Sequence, residues 1–185
     1  MSGGPATRPG GRSARVQQAV RAALQELEAE VGRSALTVPL VAARAGVTPS
    51  TIYRRWGDLR ALLSDAAVEQ LRPDAPPEDH GSLAADLRAW AEQFLEETAA
   101  PVGRSYLRDA LLGDPGGGNA GRCSEYAAEQ IRTVLDRAAG RGEAVPDAET
   151  VLDRLVAPLV YRVLFRPAGL DVAYAHRLVR DALAC

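Results

Sequence analysis

The chain has no lysine, few aromatic residues and little cysteine. All 22 of its Lys or Arg residues are arginines, a bias that GC-rich coding accounts for. Aromatic residues make up 5% of the chain, and its two cysteines, Cys123 and Cys185, give no disulfide framework. No apolar run approaches the roughly 18 residues of a membrane span, and the N-terminus lacks the apolar core of a signal peptide. We therefore expect a cytoplasmic protein without a membrane partner.

Helix-forming residues dominate what is present. At 185 residues, with 46% hydrophobic and 25% charged, the chain is long enough to bury a core and has the balance of a folded globular protein. Ala, Leu, Arg and Glu outnumber the β-branched residues, and neither strand alternation nor an internal repeat stands out. The composition predicts an all-α fold.

Charge is distributed unevenly along the chain, although its total is only -2. Residues 1–63 contain nine arginines and four acidic residues, whereas the remainder contains 13 arginines and 20 acidic residues. A basic first third joined to an acidic remainder indicates one part that meets phosphate and another that does not.

Capping residues, glycines and prolines predict about nine helices in three regions. We expect a disordered basic tail at 1–12, a helix-turn-helix domain at 13–58 and a regulatory domain at 59–185. The prolines of residues 72–79 predict a linker, and the glycines of 113–121 a flexible loop before a long helix at 123–139. The expected N-caps are Ser13, Asp58, Ser82, Asp147 and Asp171.

Spacing predicts a helix-turn-helix between Thr37 and Trp56. Ala42 must be small because the second helix crosses the first there, and Gly46 supplies a turn at positive φ. Ile52 packs the second helix back onto the first. Thr37 and Thr48 are placed to N-cap the two helices, and Pro49 stands at the favoured first helical position.

The outward face of the second helix suits DNA. Its hydroxyls lie near a helix N-terminus, where they and the free backbone N–H groups can meet phosphate or base edges. Tyr53 can contact phosphate or a thymine methyl, and Arg54 and Arg55 can pair with guanine or neutralise phosphate. On spacing alone, an ordinary surface hairpin with solvated arginines remains the alternative.

Residues 36–63, Leu-Thr-Val-Pro-Leu-Val-Ala-Ala-Arg-Ala-Gly-Val-Thr-Pro-Ser-Thr-Ile-Tyr-Arg-Arg-Trp-Gly-Asp-Leu-Arg-Ala-Leu-Leu, resemble the DNA-binding domain of TetR-family regulators. The resemblance covers about residues 13–67, and Ala-Gly-Val-x-x-x-Thr-Ile-Tyr is its most specific part. It implies an all-helical homodimer with three DNA-binding helices and a ligand-binding body. It also implies a phosphate contact at Thr37 and a major-groove face formed by Pro49, Ser50, Thr51, Tyr53, Arg54 and Arg55.

One position departs from the family pattern. The family usually has a lysine, a phosphate contact, where this chain has Leu59. Arg60, or the arginines of the basic tail, are the expected substitutes. The predicted DNA-binding set is therefore Thr37, Thr48, Pro49, Ser50, Thr51, Tyr53, Arg54, Arg55 and Arg60.

The C-terminal body resembles the family more loosely, in Arg-Gly-Glu at 141–143 and Ala-Pro-Leu-Val-Tyr-Arg-Val-Leu-Phe at 157–165. The latter is similar to a subgroup whose last two helices form the dimer interface, and Pro158 predicts a kink there. Two apolar stripes at a spacing of four make a face wider than one partner needs. We expect a four-helix dimer seam, with a single buried helix in a monomer as the alternative. Its predicted residues are Val151, Leu155, Leu159, Val163, Val172 and Val179.

Aromatic residues of the body are candidates for an effector pocket, although aromatics at helical spacing are more often core. The candidates are Trp90, Phe94, Tyr106, Tyr126, Tyr161 and Phe165. His80 and His176 are too far apart for a local metal motif, and 113–121 lacks the Gly-Lys-Ser/Thr ending of a phosphate-binding loop. We expect no metal, no cofactor and no catalytic site.

These features predict a transcriptional regulator that binds a near-palindromic double-stranded operator as a homodimer. A small molecule in the body would release it, so that it acts as a repressor. Two alternatives remain: a DNA-binding regulator without an effector, and a helical enzyme that carries a degenerate helix-turn-helix.

Overall fold

The structure is a computed structural model that describes residues 11–184. The described residues form helices and no strands, so the predicted all-α class is confirmed. Residues 1–10, which make up most of the expected tail, lie outside the described part. The chain divides into an N-terminal unit, Met1–Leu62, and a C-terminal unit, Leu63–Cys185, and the division falls inside a helix.

The described part of the N-terminal unit contains three helices and one short 3-10 turn, followed by the start of a fourth helix. They are α1 (Arg12–Val31), a 3-10 turn (Arg33–Ala35), α2 (Val38–Arg44) and α3 (Pro49–Trp56). The helix α1 starts at Arg12 with Gly11 at its N-cap and no side-chain cap, so the expected cap at Ser13 is wrong. Its buried stripe, which includes Val20, Leu24 and Leu27, packs on α2.

The helix α4 (Leu59–Gln70) contains the division between the two units. Asp58 caps it as predicted, because its carboxylate accepts a hydrogen bond from the Ala61 N–H at 2.8 Å.

The C-terminal unit contains the rest of α4 and the remaining helices. They are α5 (Leu83–Ala99), α6 (Pro101–Leu112), α7 (Gly118–Gly140), α8 (Ala148–Val151), a π-helical turn (Leu152–Val156), α9 (Ala157–Phe165) and α10 (Val172–Leu183). Residues 148–165 are one continuous helical run, and counted so, the described chain has nine α-helices. Ser82, Asp147 and Asp171 accept backbone N–H bonds at the starts of α5, α8 and α10, as predicted.

The helix α7 starts earlier than the expected Cys123. Its first turns include glycines, which are poor helix formers. For this reason the sequence predicts a loop where the structure has the start of α7. The Asp114 carboxylate organises them by accepting hydrogen bonds from the backbone N–H groups of Gly116 and Asn119 at 3.0 and 2.9 Å. These bonds also lower the pKa of Asp114.

The π-helical turn stands directly before Pro158. The N–H of Ala157 bonds to the carbonyl of Leu152, five residues back. Proline has no N–H and its ring crowds the carbonyl four residues earlier, and a wider turn relieves that crowding. The irregularity that Pro158 predicts takes the form of this turn.

The predicted dimer seam is wrong for five of its six residues. Val151, Leu155, Leu159, Val163 and Val179 are completely buried within the single chain. They belong to the core of the C-terminal unit, where they pack with residues of α5 and α7. A side chain with no exposed surface has none left to bury against a partner. Only Val172 is exposed, at 46%.

Candidate nucleic-acid interface and ligand cavity

The helix-turn-helix has the geometry that its spacing predicts. Gly46 has φ +67°, the left-handed region that favours glycine. Ala42 and Ile52 are completely buried, and the N–H of Val47 bonds to the Ala42 carbonyl at 3.0 Å across the turn. The N-cap at Thr37 is confirmed by a 3.3 Å bond from the Leu40 N–H. Together these contacts hold α3 in a fixed orientation on α2.

The predicted DNA-binding residues of α3 lie together on its exposed side. Tyr53 is 49% exposed, and only Thr51 among the α3 residues of the set is half-buried. The other exposed members are Thr48, Pro49, Ser50, Arg54 and Arg55. Thr37 and Arg60 are exposed too, at the start of α2 and in the first turn of α4. The face presents hydroxyl, phenol and guanidinium groups, all of which can donate hydrogen bonds to phosphates and base edges.

Thr48 does not cap α3 with its side chain, which corrects the sequence expectation. Its backbone is extended, as an N-cap requires, but its hydroxyl accepts no backbone N–H. Instead it bonds to the hydroxyls of Ser50 at 2.9 Å and Thr51 at 3.0 Å. At the start of α3, Pro49 has no N–H, and the N–H of Thr51 bonds to the backbone carbonyl of Thr48 at 2.9 Å rather than to its side chain.

The arginines of this unit fall into engaged and unengaged groups. Arg44 donates to Glu30 at 2.6 and 2.8 Å and to Glu26 at 3.2 Å. These bonds raise the pKa of Arg44 and lower that of Glu30. Arg55 donates to Ser13 at 2.7 Å, and its guanidinium lies 5.5 Å from the Trp56 ring centre.

The guanidinium groups of Arg54 and Arg60, by contrast, form no ion pair among the residues the structure describes. The number of basic residues in the sequence does not reveal that Glu26 and Glu30 neutralise Arg44.

A cavity of about 520 Å³, partly open to solvent, lies between helices of the C-terminal unit. Its walls come from α5, α6, α7 and the helical run 148–165. It is lined by Phe94, Leu107, Ala110, Leu111, Ala120, Cys123, Ser124, Ala127, Glu149, Leu152, Asp153, Val156, Ala157, Val160, Tyr161 and Phe165. The volume is within the range of small-molecule sites.

Three of the six predicted pocket aromatics line this cavity: Phe94, Tyr161 and Phe165. Trp90 and Tyr126 border a separate void of about 60 Å³, together with Phe94. The Trp90 indole donates to Gln130 at 2.7 Å, which identifies Trp90 as a core residue with a satisfied N–H. Tyr106 lines neither space.

Sequence reasoning missed four polar residues of the cavity lining, Cys123, Ser124, Glu149 and Asp153. The sequence does contain one signal for the cavity itself, the second apolar stripe. Its residues Leu152, Val156 and Val160 line the cavity, whereas the first stripe forms the core. Burial raises the pKa of the Cys123 thiol, so this side chain is neutral near pH 7.

The described residues, 11–184, contain neither a membrane-spanning helix nor a cluster of metal ligands. No helix there is long and apolar enough to span a membrane. No group of three or more His, Cys, Asp or Glu side chains in the same residues is arranged to hold a metal ion.

Comparison with known proteins assigns both units. Residues 20–66 match the family model of bacterial regulatory proteins of the tetR family, and residues 77–182 match that of the tetracyclin repressor-like C-terminal domain. The chain is 27% identical to the HTH-type transcriptional regulator YdeS of Bacillus subtilis (strain 168), over 89% of this chain and 86% of that protein.

A second relative and a solved structure agree. The HTH-type transcriptional regulator Rv1556 of Mycobacterium tuberculosis (strain ATCC 25618 / H37Rv) is 30% identical, over 83% of this chain and 79% of that protein. The crystal structure of the TetR family transcription regulator SCO0332 has a TM-score of 0.62 and 26% identity, covering 93% of this chain and 96% of that one. With a helix-turn-helix of the expected geometry and family matches to both units, the chain belongs to the TetR family of helix-turn-helix transcriptional regulators.

Proposed function

We propose that this regulator is a repressor that binds a near-palindromic operator as a homodimer and is released by a small molecule held in the 520 Å³ cavity. The exposed face of α3 is the observation that carries the DNA-binding part. Its Tyr53 and Arg54, the latter without an ion pair among the described residues, stand on a helix whose opposite face is anchored by the buried Ile52. In such motifs the second helix enters the major groove, and two-fold symmetry places a second copy about one helical turn away.

The dimer of this proposal uses the exposed apolar residues of α9 and α10. Tyr161 is 52% exposed, Phe165 69% and Val172 46%. The rings of Tyr161 and Phe165 lie 5.4 Å apart between their centres. Large exposed apolar side chains grouped on the last two helices are typical of a surface that a partner covers.

A route from the cavity to α4 supports release by a ligand. Leu107, Ala110 and Leu111 of α6 form part of the cavity wall. The buried hydroxyl of Ser64, on α4, donates to the Ala110 carbonyl at 3.4 Å and accepts a bond from the Asn119 side chain at 2.9 Å. A ligand that shifts α6 would disturb these bonds and thereby α4, which begins directly after the helix-turn-helix. Release follows if the ligand binds more tightly to the form that does not fit the operator.

The test is to find the operator by genomic footprinting with the purified protein and then to measure affinity by fluorescence anisotropy at one fixed salt concentration. We expect Tyr53→Ala and Arg54→Ala each to weaken binding about tenfold or more, the effect of losing one base or phosphate contact. Arg88→Ala is the matched control, since Arg88 is an exposed arginine on α5 in the other unit. Unchanged affinity in both α3 variants would reject the assignment of α3 to the groove.

A further inference from the structure

The lining of the cavity in the C-terminal unit contains two carboxylates, Glu149 and Asp153, and both are exposed to solvent. The lining also contains the Cys123 thiol and the Tyr161 phenol, and it contains no arginine or histidine. Because burial raises the pKa of Cys123, its thiol adds no charge near pH 7. The two carboxylates therefore set the sign of the charge in an otherwise apolar space.

Among the residues the structure describes, neither Glu149 nor Asp153 forms a hydrogen bond or an ion pair through its side chain. Two arginines outside the lining lie nearby. Arg132 interacts weakly with Glu149 but pairs with Glu125 at 2.8 Å. Arg122 acts on the Cys123 thiol but pairs with Glu69 at 2.6 Å.

Three carboxylates of the same unit contrast with this pair, whereas the exposed Glu96 and Asp136, like the pair, form no ion pair among the described residues. Glu69 bonds to Arg122 at 2.6 Å, and Asp86 and Glu143 bond to Arg141 at 3.0 and 2.8 Å. The helices around the cavity thus leave two negative charges unmatched at the place where a ligand would enter.

The walls of the cavity add a second preference. Phe94, Tyr161 and Phe165 place aromatic rings around the space, and the face of an aromatic ring attracts a cation that has lost part of its water. Leu107, Val156 and Val160 provide aliphatic surface, which favours a hydrophobic body. A ligand that carries a carboxylate or phosphate would meet two like charges and find no arginine among the lining residues.

We propose that the cavity takes a lipophilic organic cation, with its positive charge near Glu149 and Asp153 and its apolar groups against the aromatic and aliphatic walls. This inference rests on the proposed function, because it names the chemical class of the effector.

Binding to the full chain, without DNA, tests the charge preference by isothermal titration calorimetry. Tetraphenylphosphonium and tetraphenylborate are probes of the same shape and opposite charge, and dodecyltrimethylammonium is a cation of different shape. We expect at least one of the cations to bind about tenfold or more tightly than tetraphenylborate, and to bind more weakly as the salt concentration rises.

The double variant Glu149→Gln/Asp153→Asn should weaken binding of that cation about tenfold, since it removes both charges and keeps the shapes of the side chains. The control Glu96→Gln/Asp136→Asn removes two exposed carboxylates from α5 and α7 that are outside the cavity lining. It should leave cation affinity unchanged. Thermal unfolding of both variants checks that they are folded.

Three results would overturn the inference: neither cation binds, tetraphenylborate binds as tightly as the cations, or the double variant binds the cations as the original chain does. Operator release separates this inference from the proposed function. A cation that binds with the expected charge preference but leaves the operator complex intact upholds the charge preference and contradicts the effector mechanism. Release by tetraphenylborate alone contradicts the charge preference and supports the effector mechanism.

Discussion

At the scale of single residues, the acidic side chains of the N-terminal unit bond to groups within that unit, whereas some of its arginines form no ion pair with the described residues. Glu26 and Glu30 hold Arg44, and Glu28 holds Arg33 at 2.9 Å. Asp58 caps α4. The acids of this unit are thus engaged with their own neighbours, and the excess positive charge rests on residues such as Arg54 and Arg60. This distribution leaves the guanidinium groups of Arg54 and Arg60 available to meet phosphate.

A cluster around Arg141 ties the end of α7 to the start of α5. Its guanidinium bonds to Asp79, Asp86 and Glu143. The carboxylate of Glu143 also accepts a 2.9 Å bond from the Leu83 N–H, one of the N–H groups that the first turn of a helix leaves free. Gly142 between them has φ +81°, a conformation that favours glycine. The Arg-Gly-Glu triplet therefore has a structural role.

Glu143→Gln tests this cluster through the dependence of stability on pH. The bonds from Leu83 and Arg141 lower the pKa of Glu143 in the folded chain. The stabilisation is therefore complete above the unfolded pKa of about 4.3 and is lost as the pH falls through the lower folded value. In urea unfolding, we expect the variant to be less stable than the original chain at pH 7, and the difference to shrink as the pH approaches 3. Glu96→Gln, at an exposed site on α5, should show little difference at either pH; a loss for Glu143→Gln that is independent of pH would contradict the assignment.

At the scale of helices, the run 148–165 explains why its sequence is apolar over so wide a face. One stripe, Val151, Leu155, Leu159 and Val163, is completely buried in the core. The neighbouring stripe, Leu152, Val156 and Val160, lines the cavity. The width of the face predicts more than one packing surface, and this is so. The second stripe, however, borders a cavity within the same chain and not a partner chain. For the proposed dimer, the exposed residues at the helix end remain, Tyr161 and Phe165, and both also line the cavity.

Replacing each of two glycines inside helices by alanine should change the free energy of unfolding in opposite directions. At Gly103 of α6, a methyl group would collide with the backbone of Glu97 and Thr98 at the end of α5. At Gly121 of α7, it would meet nothing within 4 Å. Urea or thermal unfolding should show Gly103→Ala destabilised by about 1–3 kcal/mol through overpacking. Gly121→Ala should be stabilised by about 0.5–1 kcal/mol because alanine is the better helix former. Equal effects of the two substitutions would show that α6 does not approach α5 so closely.

At the scale of the whole molecule, the proposed dimer depends on the exposed surface of α9 and α10. Val172→Glu places a charge on that surface at a residue that does not line the cavity. We expect sedimentation velocity to show a shift from dimer to monomer. Operator affinity should fall at least tenfold, because one recognition helix makes about half of the contacts.

The matched control for this prediction is Val145→Glu. Val145 is also an exposed valine, at 38%, but it precedes α8 and lies outside the proposed surface. It should leave the dimer intact. A Val172→Glu chain that sediments as the original does would place the interface elsewhere.

Local spacing and capping were enough to predict much of this protein from the sequence. The crossing at Ala42, the turn at Gly46 and the plug at Ile52 depend on positions within one short segment, and all three have the predicted conformation or burial. The caps at Thr37, Asp58, Ser82, Asp147 and Asp171 are bonds to N–H groups three residues ahead, which a linear sequence displays directly.

The tertiary structure decided what each apolar or charged side chain meets. Helices distant in sequence decide that Leu155 is core whereas Leu152 lines the cavity. They also decide that Tyr161 and not Trp90 borders this cavity. In the same way, Arg44 is paired whereas Arg54 has no ion pair among the described residues. Helical periodicity states only that such residues share a face. It does not state whether that face meets another helix, a cavity or solvent, because burial is a property of the packed elements and not of one element alone.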